Sequence, residues 1–324
     1  MKRWWGRDAG DRMAERKGIN VHLGFVVRKM MAGAVLAAAL VAGGAAEGQA
    51  EGQAQACRRT VTGTLEVFDL TSKVFGNVRK ARVWLPPGYG DEANRGRSYP
   101  VLYIFDGQNV FDACTSFGGK EWRVDETLTR LIGEGKVEPM IVVGIDHAKE
   151  QRAYEWLPWR DNVQDPGSGP AGGTRLPEFM MKDVMPVMEA RYRILKGPEN
   201  TGIAGSSYGG VAALYTGVMA PTVFGEVIGE SPVLWVGNGE MMRDTVGIPS
   251  APAKVFLGYG MKEWKDPAAN AASVKMLNQL AGNLRAAIYR PGEVRMEIDP
   301  EAAHNEEAWA KRFPEAVEFL FPKR

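Results

Sequence analysis

The chain has 324 residues, 40 Lys+Arg against 39 Asp+Glu and a net charge of +1, with 45% hydrophobic and 24% charged residues. That composition belongs to an ordinary globular protein. The balanced charge and the lack of a basic run interleaved with aromatics give no footing to a nucleic-acid-binding function. This length holds one large α/β domain or two small ones.

The first 56 residues read as a leader. Arg28 and Lys29 precede an apolar run over 30–46, and small and polar residues follow over 43–56. Charge, apolar core and small-residue exit form a secretory signal pattern, and the run is short for a membrane span. Residues 1–27 are long and charged for a signal's leading region, so Met30 is read as the true start, with Met31 and Met13 as alternatives. A retained single-span anchor is the other reading of this run. Cys57 lacks the leucine three residues upstream that a lipid-modified cysteine would have. The expectation is a folded domain over 57–324, secreted or periplasmic, without a membrane span in the mature chain. In an oxidising compartment the two cysteines, Cys57 and Cys114, are expected to form a disulfide.

Strand-like stretches at 60–70 and 79–85, the second stopped by Pro86-Pro87-Gly88, predict an antiparallel hairpin at a sheet edge. Continuous apolar runs at 100–105 and 140–145 have the character of strands buried on both faces. An amphipathic helix is predicted between them over 122–133. Residues 148–173, rich in Gly, Pro and Trp, form a connection too long to be a simple turn. A helix over 177–192 follows, then a strand ending at 204 and, after a turn, an apolar helix through 212–214. Further strands are predicted at 223–229, 253–257 and 293–298, an irregular insertion at 231–251, and helices at 266–286 and 306–321. Strand–helix alternation predicts one α/β domain, with a mostly parallel sheet covered by helices on both faces and its site at the carboxyl ends of the strands.

Between the 202–204 strand and the following helix lies Gly205-Ser206-Ser207-Tyr208-Gly209, a G-x-S-x-G pentapeptide. In a strand–turn–helix context this is a nucleophile elbow, which presents Ser207 at the start of a helix. A serine hydroxyl needs a base that can take its proton near neutral pH, and histidine suits this. The chain has three histidines. His22 lies in the leader and His147 precedes the serine. Only His304 satisfies the order serine, acid, histidine. The acid should follow a strand between 207 and 304. Glu263 and Asp266, just after the 253–257 strand, both qualify by spacing, and Asp244 in the insertion is a weaker candidate. Two N–H groups should stabilise the oxyanion: that of Tyr208, after the nucleophile, and that of Gln108, in the Asp106-Gly107-Gln108-Asn109 turn.

These features resemble the α/β-hydrolase esterase family that includes enterochelin esterases, esterase D and feruloyl or acetyl-xylan esterases. The resemblance is carried by LYIFDGQNVFD (102–112), EWRVDETL (121–128), IVVGID (141–146), RAYEWLPW (152–159), IAGSSYGG (203–210), ESPVLW (230–235), GYGMKEW (258–264) and His304. It runs from about residue 61 to the end of the chain. It implies an α/β-hydrolase fold and a serine–acid–histidine triad working without metal or cofactor, and by position it favours Glu263 as the acid. Tyr208 stands where many members have methionine, and Trp264 where a glycine is common.

The implied activity is hydrolysis of a small-molecule or carbohydrate ester through an acyl-enzyme. Trp156, Trp159 and Trp235 lie in loops near the strand ends, where they would line an aromatic or sugar-bearing pocket or pack into the core. Arg152 would hold a substrate carboxylate or pair with Glu155 or Asp161. Acyl transfer to an alcohol would use the same triad. An idle carbohydrate- or siderophore-binding module is the alternative from outside enzymology, and the complete triad argues against it.

Overall fold

A computed structural model describes residues 57–162 and 170–323. In chain order the strands and α-helices are β1 (Thr64–Ser72), β2 (Asn77–Leu85), β3 (Val101–Phe105), α1 (Val124–Gly133), β4 (Ile141–Ile145) and α2 (Arg152–Trp156). Then come α3 (176–191), β5 (Thr201–Ser206), α4 (Tyr208–Met219), β6 (Glu226–Glu230) and α5 (Glu240–Asp244). The chain closes with β7 (Lys254–Gly260), α6 (Pro267–Arg285), β8 (Glu293–Asp299) and α7 (Glu306–Leu320). The expected signal and start codon fall outside the described residues.

All eight strands join one sheet in the order β1-β2-β4-β3-β5-β6-β7-β8. The β1–β2 hairpin is antiparallel and forms one edge, β2 meets β4 antiparallel, and every later pairing is parallel. Period-two alternation along the central strands feeds two separate cores. Val101, Tyr103 and Phe105 of β3 enter one core with Ile141, Val143 and Ile145 of β4, while Leu102, Ile104 and Val142 enter the other. This is why the runs are apolar without a break. Each buried branched or aromatic side chain contributes about 1.5–3 kcal/mol.

The helices supply the covering layers. Trp309, Phe313, Ala316, Val317 and Leu320 form one stripe of α7 and pack in the second core with Leu128 and Leu131 of α1. Leu277, Leu280, Ala281 and Leu284 of α6 complete the first core on the opposite face. Helix α3 starts at Leu176–Phe179, widens to a π-helical turn over Met180–Val184 and closes over Met185–Arg191. Pro186 explains the widening, because it has no N–H to continue the α ladder.

Several stretches differ from the sequence expectation: the strand expected from 223 begins at Glu226, and the 148–173 connection contains α2, so that Trp156 ends a helix rather than lying in a loop. Residues 60–63 are not strand: the Thr60 hydroxyl donates to Glu121, and the Thr62 N–H to Asp125. The stretch after β6 is not wholly irregular, since it contains α5. Cys57 and Cys114 form a disulfide with Cα atoms 5.6 Å apart, which fastens the leading segment to the loop after β3. Among the described residues no helix is long and apolar enough to cross a membrane.

Candidate active site

Ser207 lies between β5 and α4 with φ 56° and ψ −122°. A non-glycine residue held there costs on the order of 1–3 kcal/mol and persists only when its surroundings fix it. Here the Ser207 N–H donates to the Glu230 carbonyl at the end of β6 at 3.0 Å. Gly205 allows the turn to close, because a Cβ at that position would lie 2.2 Å from the Gly209 carbonyl oxygen. Tyr208 is the first residue of α4, and its N–H belongs to the turn whose N–H groups have no acceptor within the helix.

The carboxyl ends of β7 and β8 bring Glu263 and His304 together. His304 Nδ1 is 2.8 Å from Glu263 Oε2. The other carboxylate oxygen, Oε1, accepts the Gly260 N–H at 2.8 Å and the Ser231 hydroxyl. The Glu263 side chain is 1% exposed and that of His304 27%, so the acid is enclosed and the imidazole reaches solvent. Asp266 is occupied elsewhere: it caps α6, accepting the Ala268 N–H at 2.9 Å. The His304 ring meets the Trp309 indole edge to face at 5.2 Å, with Trp264 at 6.4 Å. Ser231 and Trp309 escaped the sequence reading. The available signal was position, since Ser231 directly follows a strand, and sites in such sheets gather at the strands' carboxyl ends.

The turn carrying Gln108 sits at the end of β3, which pairs in parallel with β5. It presses on β4 so closely that a Cβ on Gly107 would lie 2.4 Å from the Gly144 carbonyl carbon. The Gln108 carbonyl accepts the Thr115 hydroxyl at 2.7 Å, and its side-chain oxygen accepts the His147 N–H at 3.3 Å. Asn109 donates to Glu306 at 3.1 Å and accepts the Phe117 N–H at 3.0 Å. The turn is thus tied to β4, to its own trailing loop and to α7.

Asp106, the residue that starts this turn, receives Arg152 through Nε at 2.8 Å and Nη2 at 2.7 Å, and the Trp156 indole N–H at 3.0 Å. Burial pushes the Asp106 carboxyl up, but the Arg152 charge and hydrogen bonds and the Trp156 hydrogen bond outweigh it and hold it below the usual range. These contacts redefine two expected substrate contacts. Trp156 is fully buried against Phe105, with ring centroids 4.7 Å apart, and offers a ligand no surface. Arg152 pairs with neither Glu155 nor Asp161 but is committed to Asp106, while Glu155 pairs with Arg79 at 2.6 Å. Asp161 accepts the Tyr208 hydroxyl at 2.8 Å. Trp159 and Trp235 are half-buried; the first packs on Tyr215 at 5.4 Å and the second on Trp264 at 5.3 Å. His147 donates its own N–H to Gln108 and accepts the Lys149 N–H at Nδ1. Among the described residues, Glu121, Asp125 and Glu126 form the one acidic or histidine grouping tight enough to hold a metal, and it includes none of these site residues.

An elbow serine after β5, with an acid–histidine pair after β7 and β8, is the arrangement of an α/β-hydrolase. The family model described as "Putative esterase" matches residues 72–320. The chain belongs to that esterase family and is a carboxylic ester hydrolase. It is 22% identical over 251 residues to the uncharacterized protein YbbA of Bacillus subtilis (strain 168), covering 76% of this chain and 93% of that one. It is 26% identical over 207 residues to an endo-1,4-beta-xylanase/feruloyl esterase of Xylanibacter ruminicola, covering 62% of this chain and 25% of that protein. The crystal structure of an IroE-like serine hydrolase from Shewanella oneidensis superimposes with a TM-score of 0.62 at 18% identity, covering 80% of each chain.

Proposed function

We propose that this esterase is an exported serine carboxylesterase in which Ser207, His304 and Glu263 form the triad. The observation that carries the reading is the 2.8 Å contact between His304 Nδ1 and an enclosed glutamate. With Nδ1–H donating to Glu263, the lone pair is on Nε2, the nitrogen available as a base. Nε2 takes the Ser207 proton as Oγ attacks the ester carbonyl. The Gln108 and Tyr208 N–H groups stabilise the tetrahedral oxyanion. His304 returns the proton to the leaving alcohol, an acyl-enzyme forms, and a water activated by His304 releases the acid. Glu263 orients the imidazole and offsets its charge when it is protonated.

The substrate class is a small-molecule or carbohydrate ester, with Trp159 and Trp235 as walls of its pocket. The feruloyl esterase relative supports an aromatic acyl group. The leader pattern and the disulfide support export to an oxidising compartment.

The test is hydrolysis of p-nitrophenyl acyl esters of rising chain length, beside feruloyl, acetyl-xylan and catecholate-siderophore esters. Ser207→Ala should lower kcat by at least about 10⁴-fold and abolish labelling by a fluorophosphonate. Turnover within tenfold of wild type in that variant would overturn the mechanism.

A further inference from the structure

Four side chains behind the site close into a ring: His304 contacts Glu263, Glu263 contacts Ser231, Ser231 contacts Trp309, and the Trp309 indole packs back on His304. We infer that Ser231 is a positioning residue for Glu263, with Trp309 fixing the direction in which its hydroxyl points. This inference rests on the triad proposed above.

The direction follows from donor chemistry. An indole N–H can only donate. Trp309 Nε1 lies 2.9 Å from Ser231 Oγ, so that oxygen is the acceptor there. The serine has one proton left to give, and an ionised carboxylate can only accept. The hydroxyl therefore donates to Glu263 Oε1, which also takes the Gly260 N–H. With Oε1 held by two donors, Oε2 is left for His304 Nδ1–H, the tautomer that puts the basic lone pair on Nε2. The indole N–H and the carboxylate thus agree on one direction for the Ser231 hydroxyl, and the indole holds it there.

The backbone gives a second, independent argument. Ser231 is fully buried with φ 45°, a conformation that glycine adopts at no steric cost and other residues do not. Its N–H donates to the Gly258 carbonyl at 2.8 Å, which fixes the strained turn. A serine kept where glycine would be cheaper has a use for its hydroxyl, and among the described residues the one acceptor it meets is the Glu263 carboxylate.

The experiment compares Ser231→Gly, Trp309→Phe and the double variant in the full chain, once Ser207-dependent fluorophosphonate labelling of wild type is established. Glycine relieves the φ while removing the hydroxyl. Ser231→Gly should keep its melting temperature within about 3 °C of wild type. It should lower kcat and the labelling rate about tenfold with KM unchanged, as for loss of one hydrogen bond to a charge. Trp309→Phe keeps an aromatic ring but loses the N–H, and should lower kcat by a smaller factor. The double variant should be no slower than Ser231→Gly, because the indole acts through the serine. Wild-type kcat in Ser231→Gly, or losses that multiply in the double variant, would overturn the inference while leaving the triad standing. Absence of Ser207-dependent labelling in wild type would overturn the triad itself, and this inference with it, before any Ser231 variant is compared.

Discussion

Removing the carboxylates of Glu263 and Asp266, three residues apart, should have opposite consequences. Glu263→Gln keeps the size of the side chain but loses the negative charge beside His304; kcat should fall by about 10²–10⁴-fold with little change in melting temperature. Asp266→Ala removes the cap of α6 and should cost about 1 kcal/mol of stability, read from urea midpoints, with kcat unchanged. Reversed results would make Asp266 the acid. Spacing alone left both residues open, although the sequence held a further clue. Asp266 is followed by Pro267, and an acid before a proline is the signature of a helix start. Trp156 and Arg152 were harder to read. Their partner, Asp106, is 46–50 residues away in the chain, and no local pattern reports a pairing made by tertiary folding.

At the level of elements, each piece of the site occupies the carboxyl end of a strand and is braced by the next element. Asp106 is the clearest brace, joining the end of β3 to α2 through Arg152 and Trp156. Asp106→Asn leaves the Arg152 guanidinium without its charged partner and should destabilise by about 3–5 kcal/mol. Because the folded-state carboxyl is held below its ordinary value, this support is present above about pH 4 and is lost as pH falls further. The difference in urea midpoint between wild type and variant should therefore shrink on acidification; a constant difference would mean that the charge contributes nothing. Element order was legible because the central strands are buried on both faces and so read as unbroken apolar runs. The start of β1 was not, because side chains from the 121–125 region capture residues 60 and 62 before the ladder begins. Helix α5 was not legible either, being only five residues long.

For the molecule as a whole, one pH-sensitive contribution to stability lies away from the site. Asp125 is enclosed beside Glu126, and burial, opposed by the Thr62 N–H and reinforced by Glu126, pushes its carboxyl up to about 8. The fold therefore binds a proton that the unfolded chain releases near pH 4, so stability should fall as pH rises from about 4 to 8. Asp125→Asn should flatten that slope, and urea midpoints at pH 5, 6.5 and 8 would measure it; an equally steep fall in the variant would assign the slope to other groups. The α/β class and the single mostly parallel sheet were legible from alternation alone, but strand order and the acid cluster under the disulfide-tethered segment arise only once distant parts of the chain meet. Glu230 receives the Ser207 N–H, and the next residue, Ser231, holds Glu263, so adjacent links of the chain support both ends of the proposed triad. A displacement of β6 along its axis would move both supports by the same amount, as a common mode rather than against each other. Only a twist of the peptide between 230 and 231 acts differentially, and the fixed backbone of Ser231 resists that motion.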